Sequence, residues 1–218
     1  MNYRRTWTVG LFLLMATLVS AQYNTMHQLY LGVSGGASAS TILLVPKTVD
    51  KFYSLGKTGG VTLRYISEEH FGIQLECNYL ESGWKEDYYA TKNWSQYTYS
   101  RKLTSIDVPI LAHLYTQTGS TRFFINAGPD FSYVLSETSE NRSPVVMIQH
   151  NKKVETKFQY GLLGGGGIDF KIGKTLVGLE GRYSYYLSNI FKDAIGEDFY
   201  NSNLQIVSLR LNILYQLK

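Results

Sequence analysis

The sequence predicts an all-β fold, an eight-stranded, antiparallel, up-and-down transmembrane β-barrel. Three observations predict it. Apolar and polar residues alternate with a period of two in eight separate segments, the mark of strands that present one apolar face. The connections between those segments alternate between long and short. The two strand faces differ sharply in charge and glycine content.

Before the first strand, Arg4 and Arg5 precede an apolar run from Val9 to Val19, which ends in Val19-Ser20-Ala21. A charged start, a short apolar centre and a small-residue exit describe a secretory signal peptide over residues 1–21. The run is too short to span a bilayer as a helix. Gln22, not a cysteine, follows the expected cut, which argues against a lipid anchor. The mature chain, 22–218, is then one barrel domain.

Leu29-Leu31-Val33 and Val61-Leu63-Tyr65 are the first two strands. Segment 71–79 sets Phe71, Ile73, Leu75, Cys77 and Tyr79 against Gly72, Gln74, Glu76 and Asn78. Segment 106–114 sets Ile106, Val108, Ile110, Ala112 and Leu114 against Asp107, Pro109, Leu111 and His113. Pro109 removes a ladder donor, so a bulge is expected there. Segment 123–135 carries Phe123, Ile125, Phe131 and Tyr133 opposite Asn126, Gly128, Asp130 and Ser132. The last three strands are 158–172, 177–187 and 207–217, each with the same alternation.

The short connections fall at 67–70, 117–121 and 173–174, and the long polar ones at about 39–57, 82–102, 138–156 and 188–203. Outer-membrane barrels place short turns on the periplasmic side and long loops outside. An even strand number leaves both termini in the periplasm.

Alternation alone does not say which face is inside, because a secreted barrel alternates too. The apolar face carries no charge over these strands. The other carries Arg64, Glu76, Asp107, Asp130, Asp169, Lys171, Glu180, Arg182 and Arg210, together with Gly72, Gly128, Gly161, Gly165, Gly167 and Gly178. A narrow barrel interior needs small residues, whereas a solvated exterior does not. The charged face is therefore the lumen and the apolar face meets lipid. Tyr65, Phe71, Phe123, Phe170 and Tyr215 near the short turns, and Tyr79, Tyr133, Phe158, Tyr160 and Tyr185 near the loops, form two aromatic girdles.

Removing residues 1–21 takes away Arg4 and Arg5 and lowers the formal charge from +4 to +2. A nearly neutral chain offers no electrostatic case for nucleic acid. A single cysteine, Cys77, excludes an intrachain disulfide. Nothing beyond residue 21 approaches a transmembrane helix in length and apolarity.

Phe71-Gly-Ile-Gln-Leu-Glu-Cys-Asn-Tyr79 through Gly83, Ile106-Asp-Val-Pro-Ile110, Ala127-Gly-Pro-Asp-Phe131, and Gly164–Gly167 leading to Arg182-Tyr183-Ser184 together resemble the PorT-like outer-membrane β-barrel domain family of Gram-negative bacteria. The resemblance covers roughly 22–218. The chain departs from it in Cys77, where a larger aliphatic residue is expected, and in Lys218, where many barrels end on an aromatic. Some members take part in protein secretion across the cell envelope, a role that the resemblance implies as one possibility.

The interior acids Glu76, Asp107, Asp130, Asp169 and Glu180 nearly balance the bases Arg64, Lys171, Arg182 and Arg210. Balance points to a self-paired network filling the lumen, because unpaired buried charge is costly. A selective pore favours one sign in excess. Folding about the 117–121 turn places Asp107 opposite Asp130, which calls for an arginine or a shared proton between them. At least one of Arg64, Arg182 and Arg210 is expected to contact the Asp107/Asp130/Glu76 group.

No catalytic, cofactor or metal site is expected. The histidines are His27, His70, His113 and His150. His113 could pair with Asp107, but no Ser or Thr joins that face of its strand, so a buried, hydrogen-bonded histidine is expected, and no His/Cys/Asp cluster has ligand spacing. Gly164–Gly167 lacks the Lys-Ser/Thr of a phosphate loop. Loop 82–102 holds Trp84, Tyr88, Tyr89, Trp94, Tyr97 and Tyr99 among small polar residues, a composition suited to binding protein or glycan. The competing reading is a hairpin that continues above the membrane with its tyrosines paired across strands. Two functions remain open: a non-enzymatic structural or interaction barrel, surrounded by outer-membrane lipid and meeting envelope or secretion proteins or surface glycans, and a narrow channel for ions or small solutes.

Overall fold

The computed structural model describes residues 27–45, 50–87, 97–142, 150, 152–191 and 200–217. The expected signal peptide, 1–21, lies outside them. Nine strands run through the described residues: β1 (Gln28–Val45), β2 (Asp50–Ile66), β3 (Phe71–Asp87), β4 (Tyr99–Asp107), β5 (Ile110–Thr118), β6 (Thr121–Asn141), β7 (Phe158–Ile172), β8 (Thr175–Asn189) and β9 (Asn201–Gln216). All their pairings are antiparallel, and β9 closes onto β1. β4 and β5 share one position between β3 and β6, so the ring has eight places. Closure removes the free edges that lipid could not satisfy.

Following the ladder inside the ring links Gln28, Ile66, Gly72, His113, Asn126, Gly165, Arg182 and Ser208 in turn. From Ser208 the path re-enters β1 at Ser38, ten residues beyond its start. This stagger is the shear that tilts the strands and sets the barrel's width, leaving room for side chains and little else.

The expected bulge at Pro109 is instead a clean interruption. The pairs Asn78–Asp107 and Leu75–Ile110 keep one register across the gap. Val108 N–H still donates to Phe131 O at 2.6 Å, and Pro109 O still accepts from Glu76 N–H at 3.2 Å. Only the donor that proline lacks is lost. The bulge lies on β6, where Thr104 faces Ser136 while Ser105 faces Val134.

Gly119 and Gly173 adopt φ of 60° in two-residue turns closed by Thr118–Thr121 and Ile172–Thr175, a conformation that favours glycine. At the other end the strands outrun the sequence reading. Residues 39–57, expected as a loop, are mostly β1–β2 hairpin, and β1 pairs with β9 all the way to Val45–Asn201.

The outward face is apolar around the ring: Leu31, Val61, Leu75, Ile110, Ile125, Leu162, Leu179 and Leu211 are all exposed. A continuous apolar band of this kind does not persist in water. Tyr79, Ile106, Tyr133 and Phe158 are ladder neighbours in an outward row near the loop end. Tyr65, Phe123, Phe170 and Tyr215 are exposed near the short turns. Cys77 is exposed on the same lipid-facing side.

Candidate functional site

The site is the lumen, and strand parity builds it. In β3 the even-numbered residues point inward, so Gln74, Glu76 and Asn78 are all buried. Arg182 grips Glu76 with both guanidinium nitrogens, Nη1 to Oε2 at 2.8 Å and Nη2 to Oε1 at 2.6 Å. Its Nη2 also meets Glu180 Oε2 at 2.7 Å. Arg210 adds a third contact to Glu76 at 2.8 Å and donates to Asn78 at 2.8 Å and to Ser34. Asn126 and Asn212 donate to Glu180 at 2.7 and 3.0 Å. A second pair joins Arg64 to Asp169 at 2.6 Å, with Arg64 Nε donating to Gln74 at 2.6 Å. Bidentate, charge-assisted bonds offset the desolvation of so many ions.

Glycines make the room. Gly36 faces Arg210, Gly60 faces Asn78, Gly165 faces Arg182 and Gly167 faces Glu180 across the ladder. Each of these four side chains lies over a neighbour that has none.

Two sequence expectations need correction. Asp107 pairs with Ser132, not with Asp130, because the 119–120 turn is two residues long and sets the register. Asp107 accepts a hydrogen bond from Tyr186 Oη at 2.7 Å. Asp130 lies beside it, wholly buried, and forms no ion pair among the described residues. Lys171 is the last inward position of β7 and stays partly exposed at the rim beside the 173–174 turn, outside the network. His113 is the buried, hydrogen-bonded histidine expected of it, with Asn126 as its partner at 2.7 Å.

Of the aromatic loop candidates, Trp84 and Tyr99 are wholly buried. They belong to β3 and β4, which continue the inward parity past residue 82, and so they form no exposed binding surface. Trp84 Nε1 donates to Glu86 at 2.8 Å. Tyr99 stacks on His150 at 3.8 Å, and His150 Nε2 lies 2.9 Å from Glu86. Arg101, which sequence reasoning missed, donates from Nε to Tyr99 Oη at 2.8 Å and sits 5.4 Å over the Trp84 ring. Tyr97 remains partly exposed at the outer end. Tyr88, Tyr89 and Trp94 lie outside the described residues.

An apolar layer lies toward each end of the polar lumen. Toward the loops, Ile42, Leu44, Leu80, Trp84, Leu103, Val134, Tyr186, Leu204 and Ile206 pack with Ile190 and Phe191 beyond β8 and with Val154. Backbone bonds from Glu155 and Thr156 to Ile190 tie the third and fourth long connections together over this mouth. Toward the short turns, Tyr30, Ile66, Tyr115, Phe124, Leu176 and Leu214 form a second buried layer. Arg122, buried there, lies 4.9 Å over Tyr115 and 5.7 Å over Tyr30. Among the described residues no group of three or more His, Cys, Asp or Glu is placed to hold a metal ion.

No curated protein sequence matches the chain. Among solved structures, OprG from Pseudomonas aeruginosa aligns over 88% of this chain and 97% of its own, with a TM-score of 0.57 and 12% identity. AlkL, solved in DMPC lipid bilayers, aligns over 91% and 93% with a TM-score of 0.49 and 10% identity. Neisserial surface protein A aligns over 86% and 96% with a TM-score of 0.47 and 14% identity. At 12% identity the likeness to OprG is one of fold. A family model described as an outer membrane protein beta-barrel domain matches residues 20–192. With its closed antiparallel ring and apolar outer wall, the chain belongs to the outer membrane protein β-barrel domain family and is a protein of the outer membrane.

Proposed function

We propose that residues 1–21 direct export and that 22–218 works as a closed, non-enzymatic barrel, in a structural or interaction role exercised at its loop end. The observation that carries this reading is the pair of apolar layers above and below the charge network. Conduction needs a continuous wet path, and apolar constrictions oppose one by dewetting. The PorT-like resemblance supports an accessory role in envelope protein secretion, with an envelope protein or a surface glycan as the partner. The non-enzymatic reading is supported by the engagement of His113 with Asn126 and of His150 with Glu86.

Planar-bilayer recording of the purified barrel tests this against the narrow-channel reading. The expected result is a flat trace at all applied potentials. Reproducible single-channel steps would replace the closed-barrel reading with a channel.

Orientation is tested separately. In a Cys77→Ser background, Asn141→Cys is expected to react with a membrane-impermeant maleimide on intact cells, while Ser120→Cys reacts only after the outer membrane is opened. Labelling of Ser120→Cys with protection of Asn141→Cys would invert the assignment.

A further inference from the structure

The outward wall is electrically lopsided. Along β1, β7, β8 and β9 no outward position among the described residues is charged. On β2, β3 and β4 the outward positions include Lys57, Glu81, Lys85 and Lys102, and Glu140 and Arg142 stand exposed at the end of β6. These residues lie at or above the aromatic row of Tyr79 and Tyr133. Gly59 pairs with Tyr79, which puts Lys57 near the level of that row, and Gly83 pairs with Lys102 above it.

The upper part of the patch is built around Tyr97. Lys85 Nζ and Arg142 Cζ each lie 4.3 Å from the centroid of its ring. Glu140 accepts from Arg142 Nε at 2.8 Å and from Tyr97 Oη at 3.3 Å. Lys85 and Lys102 are two positions apart across the β3–β4 ladder. Three cations thus surround one carboxylate.

We infer that this wall of β3, β4 and β6 binds the phosphate groups of an outer-leaflet glycolipid. The inference rests on the reading that the loop end faces outward. The height is right. Lys102 lies four residues beyond Ile106 on β4, about 10 Å along a tilted strand, and the polar headgroup zone occupies roughly 5–8 Å outside the hydrocarbon on each side. A lysine stem reaches down across the difference with its charge in the headgroup layer. The apolar wall directly below holds acyl chains, so a phosphate carried on a lipid is delivered at a high effective concentration that a free anion lacks. Cations clustered about one acid gain from a multiply charged anion. Among the described residues the strand spans of β1, β7, β8 and β9 carry no outward charge, and the exposed Lys153 and Lys157 before β7 have no aromatic or acidic partner to gather them.

The test uses the refolded mature barrel in phosphatidylcholine nanodiscs doped with diphosphoryl lipid A, with lipid retained on the protein counted by native mass spectrometry. Lys85→Gln/Lys102→Gln/Arg142→Gln is expected to lower lipid A affinity at least tenfold, while Lys171→Gln/Lys174→Gln at the opposite end leaves it unchanged. Lys102→Gln alone, an exposed outward substitution with no packing role, is expected to lose affinity severalfold and serves if the triple variant folds poorly. Fully dephosphorylated lipid A should not be retained. Equal retention by the variants, or equal retention of the dephosphorylated lipid, overturns the inference. Competition by inorganic phosphate at similar affinity overturns the assignment to a lipid. Because the protein is purified, failure here leaves the orientation test untouched, and inverted labelling of cells would remove the leaflet without altering binding in the nanodisc.

Discussion

Arg182→Met is expected to destabilise the folded barrel by about 3–5 kcal/mol, the cost of breaking a buried ion pair from one side. Methionine keeps most of the volume, so the loss is electrostatic. Among the described residues Glu76 then retains only Arg210 as a cation, and Glu180 keeps the amides of Asn126 and Asn212 but no cation within salt-bridge distance. Urea unfolding from lipid vesicles measures the change, with Lys171→Met as the control at the rim. The double variant Glu76→Gln/Arg182→Met should lose less than the two single losses added together, because it removes both partners of the bidentate contact. Strict additivity, or a loss in Arg182→Met no larger than in Lys171→Met, would show that the network does not hold the strands together.

The eight places of the ring, their order and the inward position of most of the charges were legible because lipid outside and ions inside give period-two alternation its strongest contrast. Where that contrast fades, the reading failed. Inward Ile42 and Leu44 alternate with outward Leu43 and Val45 on β1, so both faces are apolar and the segment looks like neither a half-polar strand nor a loop. The same holds for Phe124, Val134, Leu163 and Tyr186, which are inward but apolar because they belong to or adjoin the closing layers. Those layers were the functional feature hardest to see, since the expectation of a polar interior hides them. A signal did exist. Trp84 and Glu86 share the parity of Glu76 and Asn78, and continuing that count past residue 82 places both inside. Which loop residue completes the mouth was not legible: His150 meets Tyr99 and Glu86 across 51 and 64 positions of chain, a closure set by tertiary packing and not by local pattern.

The second large effect separates two adjacent residues. Gly164 and Gly165 are neighbours on β7, one facing lipid and the other the lumen. A Cβ on Gly165 would lie 2.7 Å from Gly181 O and 2.9 Å from Arg182 Cγ. A Cβ on Gly164 would meet nothing within 4 Å. Gly165→Leu therefore overpacks the lumen, at about 1–3 kcal/mol, and pushes on the side chain that holds Glu76 and Glu180. Gly164→Leu adds an apolar group to a wall already bathed in lipid and is expected to change stability by less than about 0.5 kcal/mol. Both variants insert the same side chain one position apart, so differences in strand propensity cancel and face alone separates them. Refolding each into the same vesicles and comparing urea midpoints reads out the difference. Equal midpoints would mean that the interior at Gly165 yields to a leucine, and that the glycines opposite Arg182, Glu180 and Arg210 are not what makes room for the network.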